Sequence, residues 1–349
     1  MILLVSLLTR LGSRHNRNLQ DMEANMRRTG ICFAAVVSVA LSSGVAPRAA
    51  LGQTYSNQDI HFIAAFPPGS GSDILVRFYA NKLRAISGNT VIVENKPGAG
   101  GNIAAEYVAR SKPDGSTILV HNGTSVAANY HLFKKPPIDP AQDLKVAATI
   151  TNSQFTLIVD AKSPYQTLSQ LTEALKAKGA KASYGQATTF AKVLGELYKK
   201  ATGVTAVDVP YRTTGDYMND LASGGIDFAI MDPVAALASV TESRVRILAV
   251  SSPRRVPGMA DYPTFAESGV DVSLTLWWGA MVPSATPPSL INQLNGWVGK
   301  MLAMDDTRKF IQSNGGEPFG STSEEGQALM LKTKADWDAL VKLAQIEPQ

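Results

Sequence analysis

The sequence predicts an α/β protein built from two lobes, and three observations lead to this expectation. The chain has 349 residues, more than a single hydrophobic core usually holds, so two lobes are the natural arrangement. Its composition is globular, with 45% hydrophobic and 18% charged residues and no low-complexity tract. Short apolar stretches alternate with amphipathic ones, which is the pattern of mostly parallel sheets flanked by helices.

The first 52 residues have the features of an export signal and not of a folded domain. From Met26, two arginines at 27–28 precede an apolar run over residues 30–45 and then small residues up to Gly52, the order typical of a secretory signal. We expect translation to start at Met26 or Met22, cleavage near Gly52, and a mature protein in the periplasm. The apolar run is shorter than the roughly 18 residues that span a bilayer, so a membrane anchor is the weaker interpretation.

Export changes the charge of the part that folds. Residues 1–52 contain six Arg and two acidic residues, so 27 basic and 27 acidic residues remain in the mature chain. This balance disfavours nucleic acid and anionic membranes as partners, because proteins that bind them usually keep a cationic excess. The only cysteine, Cys32, lies within the signal, which argues against disulfides, thiolate catalysis and a lipid anchor.

The mature chain begins with a strand, a helix and a second strand, and then repeats this alternation. Apolar residues recur at helical spacing over residues 73–86, so one face of this helix is expected to pack on a sheet. Strands are expected at 60–66, 90–93, 116–120, 154–159, 207–210, 227–231 and 246–250, and helices at 73–86, 102–110, 168–178 and 190–201. Strand-like segments at 154–159 and 274–282 bracket a complete α/β set, which predicts one lobe from residues 53–153 plus 276–349 and another from 154–275.

The loop at residues 66–73, Phe-Pro-Pro-Gly-Ser-Gly-Ser-Asp, lies between a strand end and a helix start. The free amides at a helix N-terminus attract anions, and glycines let a ligand approach the backbone closely. The alternative is a plain glycine-rich connection in which Ser72 or Asp73 caps the helix. A nucleotide site is disfavoured, because a phosphate loop carries Lys and then Ser or Thr after its last glycine.

Motifs of enzymes and metal centres are absent from the sequence. The four histidines, His15, His61, His121 and His131, show no metal-ligand spacing, and no HExxH, CxxC or GxSxG pattern occurs. His121 follows a strand and precedes Asn122, so it could act as a general base, but a lone loop histidine more often serves only in hydrogen bonding. We therefore expect no catalytic residue, no metal and no cofactor.

Several segments together resemble the Bug family, the extracytoplasmic receptors of tripartite tricarboxylate transporters, over nearly all of the mature chain. The order of these segments makes the resemblance specific. They are Phe-Pro-Pro-Gly through Asp at 66–73, Val-Glu-Asn-Lys-Pro-Gly-Ala-Gly-Gly-Asn-Ile at 93–103, Lys-Pro-Asp-Gly at 112–115, Gly-Glu-Leu at 195–197, Val-Pro-Tyr at 209–211, Pro-Thr-Phe-Ala-Glu-Ser-Gly at 263–269 and Trp-Gly at 278–279.

The resemblance implies a two-lobed periplasmic binding protein of type II, a Venus flytrap whose lobes are joined by two crossing strands. It implies a small carboxylate ligand, held mainly by backbone amides and waters, and integral-membrane transporter subunits as partners of a monomer. The ligand-binding residues implied in the first lobe are Phe66, Pro67, Gly69, Ser70, Asp73, His121, Asn122 and Thr124. Those implied in the second lobe are Thr188, Thr189, Tyr211 and Asp232.

Three departures from the family pattern bear on the site. Ser70 stands where a second glycine is usual, and Arg212 to Gly215 replace a Lys-Gly-small-small run. The segment at 184–191 is about two residues shorter than usual and lacks its histidine, so the second-lobe wall is remodelled. Two other functions remain open at this point, a receptor that serves a sensor instead of a transporter, and a periplasmic enzyme.

Overall fold

The computed structural model describes residues 54–55 and 58–348. The expected signal segment, with Met22, Met26, Cys32 and the cleavage site near Gly52, lies outside the described residues. Among the described residues, no helix combines the length and the hydropathy needed to cross a bilayer.

The described chain alternates strands and helices almost throughout. The strands are β1 (Ile60–Ala64), β2 (Val91–Asn95), β3 (Thr117–Asn122), β4 (Leu144–Gln154), β5 (Thr156–Asp160), β6 (Ser183–Gln186), β7 (Val207–Pro210), β8 (Phe228–Met231), β9 (Val245–Val250), β10 (Thr275–Pro283) and β11 (Glu317–Pro318). The helices are α1 (Gly71–Ser87), α2 (Asn102–Ala109), α3 (Gly123–Leu132), α4 (Pro140–Asp143), α5 (Leu168–Lys178), α6 (Thr189–Thr202), α7 (Asp216–Ser223), α8 (Pro233–Thr241), α9 (Pro288–Ala303), α10 (Asp305–Ser313) and α11 (Ser323–Leu343). The expected helices and strands are confirmed, with boundaries that shift by one or two residues at most ends.

The strands form two sheets, one in each lobe. The first has six strands in the order β11-β4-β10-β3-β1-β2, and the second has five in the order β7-β6-β8-β5-β9. Only Phe155 separates β4 of the first sheet from β5 of the second. The chain returns through residues 251–274 to β10, so two passages connect the lobes.

Both sheets are mixed, with parallel strands on one side and antiparallel strands on the other. The pairs β1–β2, β1–β3, β6–β7 and β6–β8 are parallel, as the alternation of strands and helices predicts. Strands β4, β5, β9 and β10 pair antiparallel to their neighbours. These strands border the passages between the lobes, and their direction depends on pairings distant in sequence. Local periodicity therefore could not reveal it.

Local sequence explains where the helices nearest the site begin and end. Helix α1 starts at Gly71, two residues before the expected start, because the Ser70 hydroxyl accepts the amide of Asp73 as an N-cap. The same helix ends at Gly88, which adopts the left-handed conformation with φ 74°. Gly203 caps the end of α6 in the same way, also with φ 74°.

The long C-terminal helix α11 contacts both lobes. It packs on α3 and β4 of the first lobe and on α6 of the second. Trp337, on this helix, is 1% exposed and belongs to the same buried cluster as Tyr184 and Phe228 of the second lobe. The apolar face of α11 therefore ties the two lobes together beside the passages between them.

Candidate ligand-binding site

Four strand-to-helix loops place helix N-termini toward one region of the molecule. Each follows the carboxyl end of a parallel strand: β1 leads to α1, β3 to α3, β6 to α6 and β8 to α8. In open α/β sheets, ligands bind outside the carboxyl ends of such strands. Helix N-termini carry amides without an intrahelical partner and the positive end of the helix dipole, so this arrangement suits an anion.

A cavity of about 300 Å³ lies where these loops meet. Both lobes and the passages between them contribute to its wall. The lining residues are Phe66, Ser72, Leu75, Tyr79, Asn122, Ser125, Thr151, Ser153, Phe155, Thr188, Phe190, Asp232, Pro233, Val234, Leu276, Trp278, Ile311, Asn314 and Gly316. None of them is Lys or Arg, so a bound anion would depend on amides and hydroxyl groups. We call this space the central cavity.

The first lobe provides two helix N-termini with available amides. Ser70 takes the amide of Asp73 at the start of α1, and Asn122 takes that of Ser125 at the start of α3 with an N···O distance of 3.0 Å. The two preceding amides of each helix have no acceptor among the described residues. Ser72 and Ser125, in the first turns of these helices, line the central cavity, so the starts of α1 and α3 lie beside the space that a ligand would fill.

The second lobe presents two further helix N-termini to the central cavity, and they differ from one another. Thr188 caps α6 and Asp232 caps α8, each through a hydrogen bond to an amide three residues later. Pro233 follows Asp232 and has no amide hydrogen to offer a ligand. Burial raises the pKa of Asp232, although the amides of Ala235, of Val234 and of Asp232 itself oppose this effect. The N-terminus of α8 is therefore already occupied by the protein's own carboxylate.

Asp73 organises the loop before α1. Its side chain is 1% exposed, and its oxygens accept hydrogen bonds from the Gly69 amide at 2.8 Å, from Arg77 at 2.8 Å and from Asn95 at 2.7 Å. Burial alone raises the pKa of Asp73, but the hydrogen bonds from Arg77, Asn95 and Gly69 outweigh it and lower this pKa to about 2. The carboxylate is thus committed to its own loop.

His121 lies behind the wall of the central cavity. Its ring centroid is 4.9 Å from that of Phe66 and 6.0 Å from that of Trp278. The side chain is 2% exposed, and neither ring nitrogen has a hydrogen-bond partner among the described residues. Burial lowers the pKa of His121 to about 4, while the backbone of Gly100 acts in the opposite direction. The ring is therefore neutral near pH 7 and supplies no positive charge.

Aromatic side chains form much of the wall. Phe66 stacks on Trp278 with ring centroids 5.5 Å apart, and Phe155 lies parallel to Phe190 with centroids 6.4 Å apart. Phe190 also meets the edge of Trp337 at 4.7 Å. Aromatic rings from the first lobe, the passage between the lobes and the second lobe thus surround the space in which a ligand would lie.

Comparison with known proteins assigns the family. The sequence model of TctC, the tripartite tricarboxylate transporter family receptor, matches residues 75–346. The chain belongs to this family. The protein BugT of Bordetella pertussis is 25% identical over 312 residues, which cover 88% of this chain and 96% of BugT.

Two solved structures support the same assignment. One is described as R. palustris Rpa4515 with adipate, with a TM-score of 0.74, 27% identity, and coverage of 84% of this chain and 100% of that one. The periplasmic binding protein BugD has a TM-score of 0.71 and 28% identity, with coverage of 84% and 100%. The resemblance to Bug receptors and the two-lobed α/β fold are therefore confirmed.

In this TctC receptor, the sequence-derived site residues fall into three groups. Four line the central cavity, namely Phe66, Asn122, Thr188 and Asp232. Thr188, Thr189 and Tyr211 line a second cavity of about 320 Å³, together with Lys192. The other six, Pro67, Gly69, Ser70, Asp73, His121 and Thr124, lie beside the central cavity but outside its lining.

Several of the residues outside the lining have other contacts. The Gly69 amide donates to Asp73, and the Thr124 hydroxyl accepts the Trp277 amide at 3.0 Å. Tyr211 donates from its hydroxyl to Asp220 at 2.6 Å. These groups shape the receptor's loops, and they are directed at the protein instead of at the central cavity.

Sequence reasoning missed most of the apolar wall. Ser72 and Ser125 could have been found, because both lie in the first turn of a helix that follows a strand end. Trp278 belongs to a recognised family segment but carried no assigned role. Ile311 and Asn314, near the end of α10, reach the cavity from the C-terminal third of the chain, and no local pattern in the sequence reveals that approach.

Metal binding receives no support from the described side chains. Within residues 54–55 and 58–348, no group of three His, Cys, Asp or Glu residues is arranged to hold a metal ion. Asp232 is the only acidic residue in the wall of the central cavity, and one carboxylate is too few ligands for such a site.

Proposed function

We propose that this TctC receptor binds a small carboxylate in the central cavity, in the periplasm, and delivers it to the membrane subunits of a tripartite tricarboxylate transporter. The observation that carries the proposal is the meeting of four helix N-termini from both lobes around one cavity of about 300 Å³. That volume suits a small organic molecule. Family membership supplies the transport role, and the adipate complex of the R. palustris relative supports a carboxylate ligand.

The available amides are the groups that would hold the carboxylate. Hydrogen bonds from backbone N–H groups to an anion are shorter and stronger than those between neutral groups. Neutral amides also avoid a buried lysine or arginine that would lack a partner in the empty receptor. The first turns of α1 and α3 provide such amides beside Ser72 and Ser125, so we place the carboxylate in the first lobe.

The proposal includes binding without turnover. No residue of the central cavity pairs a nucleophile with a histidine, and His121 lies behind the wall. We expect the ligand to be recovered chemically unchanged and the mature receptor to be a monomer. Export with cleavage near Gly52 is part of the same proposal, and N-terminal sequencing of the periplasmic protein tests it.

The decisive experiment is a thermal-shift screen of the mature protein against small carboxylates. A ligand present at one hundred times its dissociation constant stabilises the folded state by about 2.7 kcal/mol, which shifts the melting temperature clearly. Recovery of the unchanged ligand from the purified complex then separates binding from catalysis. If no carboxylate shifts the melting temperature, the proposal is wrong.

A matched pair of variants locates the binding site. Ser72→Phe places a large ring at the cavity wall, so it should abolish the shift given by the best ligand. Ser87→Phe, at the other end of the same helix, is the control and should leave the shift intact, because Ser87 is outside the lining. Equal ligand responses from both variants would place the ligand elsewhere.

A further inference from the structure

The two ends of the central cavity differ in what they offer a ligand. The first-lobe end provides the free amides at the starts of α1 and α3. At the second-lobe end, the wall consists of Thr188, Phe190, Asp232, Pro233 and Val234. Three of these five side chains are apolar and one is the Asp232 carboxylate, so a second anion at this end would meet a like charge, although α6 also begins here.

Two helices, α6 and α8, begin at the second-lobe end, and α8 is blocked as an anion site. Helix α8 starts with Pro233, which lacks an amide hydrogen, and the Asp232 carboxylate accepts the Ala235 amide at 3.0 Å. A ligand carboxylate at this end would face Asp232 without a Lys or Arg in the cavity wall to offset the repulsion. Like charges disfavour one another strongly where water is excluded.

The space between the two ends is mostly apolar, although Thr151, Ser153 and Asn314 also line it. Five aromatic side chains, Phe66, Tyr79, Phe155, Phe190 and Trp278, contribute to the wall. Leu75 and Tyr79 follow Ser72 on one face of α1 at helical spacing, so an apolar surface starts beside the free amides and continues into the cavity. An alkyl chain or an aromatic ring is the ligand body that gains most from such a wall.

We propose that the ligand of this receptor is a monocarboxylate with an apolar body, its carboxylate at the first-lobe amides and its alkyl or aromatic end against Phe190 and Val234. This proposal rests on the proposed function, because it specifies the carboxylate that the central cavity selects. It also separates this chain from the relative that holds adipate, a dicarboxylate.

The test compares pairs of ligands that differ only in the second carboxylate. Hexanoate with adipate, octanoate with suberate, and 4-methylbenzoate with terephthalate are titrated by calorimetry near neutral pH. In the pair that binds best, the monocarboxylate should bind at least about tenfold more tightly, a difference of about 1.4 kcal/mol. Equal or tighter binding of the dicarboxylate overturns this proposal and leaves the proposed function standing.

The same titrations show whether a negative result contradicts only the ligand class or the proposed function as well. If no monocarboxylate binds but malate or citrate does, only the ligand class is wrong. If none of these carboxylates binds, the proposed function fails together with the ligand class. A primary amide such as hexanamide is the neutral control, and it should bind more weakly than hexanoate if the amides of α1 and α3 select an anion.

A pair of variants tests whether the charge of Asp232 excludes a second carboxylate. Asp232→Asn keeps an N-cap oxygen for α8 but removes the negative charge, so dicarboxylate affinity should rise by about tenfold relative to that of the matched monocarboxylate. Asp139→Asn is the control, because Asp139 is also an N-cap aspartate, of α4, and lies outside the cavity wall. If Asp232→Asn leaves the affinity ratio unchanged, Asp232 does not exclude the second carboxylate.

Discussion

At the scale of single residues, Asp73 shows how a family position can serve the protein and not the ligand. The sequence placed it among the ligand-binding residues and also raised the alternative of a helix cap. In the structure its carboxylate accepts hydrogen bonds from Gly69, Arg77 and Asn95. A charged acceptor beside the cavity would repel a ligand carboxylate unless it were neutralised in this way.

We therefore predict that Asp73→Asn weakens the fold more than it weakens ligand binding. Loss of the charged acceptor should lower the free energy of unfolding by about 2 kcal/mol, since hydrogen bonds to charged groups contribute about 1.5–3 kcal/mol. Urea denaturation measures the free energy of unfolding. Calorimetry should show less than about a tenfold loss of ligand affinity. A hundredfold loss of affinity with unchanged stability would assign Asp73 to the ligand instead.

The pH dependence of stability gives a second readout for the same residue. Because the fold lowers the pKa of Asp73 to about 2, its stabilising contribution is complete above the unfolded-state pKa of about 3.9 and disappears as the pH falls toward 2. The stability difference between wild type and Asp73→Asn should therefore shrink over that interval. A difference that stays constant from pH 5 to pH 2 would contradict this assignment.

The residue scale also shows the limit of transferring family positions. The family resemblance identified Phe66, Asn122, Thr188 and Asp232, which line the central cavity. It could not show that Gly69 and Thr124 already have protein partners. Such contacts depend on side-chain packing that a linear pattern does not contain.

At the scale of secondary-structure elements, the position of α3 depends on close contact with β10. Gly123 begins the helix, and a Cβ atom at this position would lie 2.0 Å from the Trp277 ring. Trp277 is 3% exposed, and its indole donates to Thr333 of α11 at 3.1 Å. The ring therefore has little room to move, and only glycine lets the helix approach it.

We predict that Gly123→Ala lowers the free energy of unfolding by about 2 kcal/mol, the usual cost of overpacking a buried site. Gly296→Ala, within α9, is the control, because no atom lies within 4 Å of its added Cβ. That exchange should raise stability by up to about 1 kcal/mol, since alanine favours helices. Urea denaturation compares both variants, and similar stabilities would contradict the close contact at Gly123.

The sequence predicted the elements well and their arrangement only in part. Helical and strand periodicity gave α1, α5 and β7 with boundaries within two residues. The N-cap that sets the start of α1 at Gly71 is a local feature, so the sequence alone is enough to identify it. Strand order and the antiparallel pairing of β10 with β3 and β4 are not local, so periodicity alone could not supply them.

At the scale of the whole molecule, the chain divides into two parts that we expect to move relative to one another. We propose that residues 53–153 plus 276–349 move as one lobe and residues 154–275 as the other. The sheets support this division, because the strands of the six-stranded sheet fall within the first set, except for the end residues Gln154 of β4 and Thr275 of β10, and β5 to β9 fall within the second. Arg254 and Glu317, which form an ion pair at 2.8 Å, would connect the lobes near the passages.

We predict that ligand binding brings the lobes together. Cysteines introduced at Arg110 and Lys176 carry one spin label in each proposed lobe, and no other cysteine remains once the signal with Cys32 is removed. The distance between these labels should shorten when the ligand is added, because closure shields the amides from water. A control pair at Arg110 and Lys300, both in the first lobe, should keep its distance.

The most direct test of the account is a crystal structure of the mature receptor with its tightest-binding carboxylate. We predict that the ligand carboxylate lies in the central cavity, with its oxygens about 3 Å from first-turn amide nitrogens of α1 and α3, beside Ser72 and Ser125. The rest of the ligand should contact Phe190 and Val234. A carboxylate bound in the second cavity beside Lys192, or held by any lysine or arginine side chain, would contradict the account.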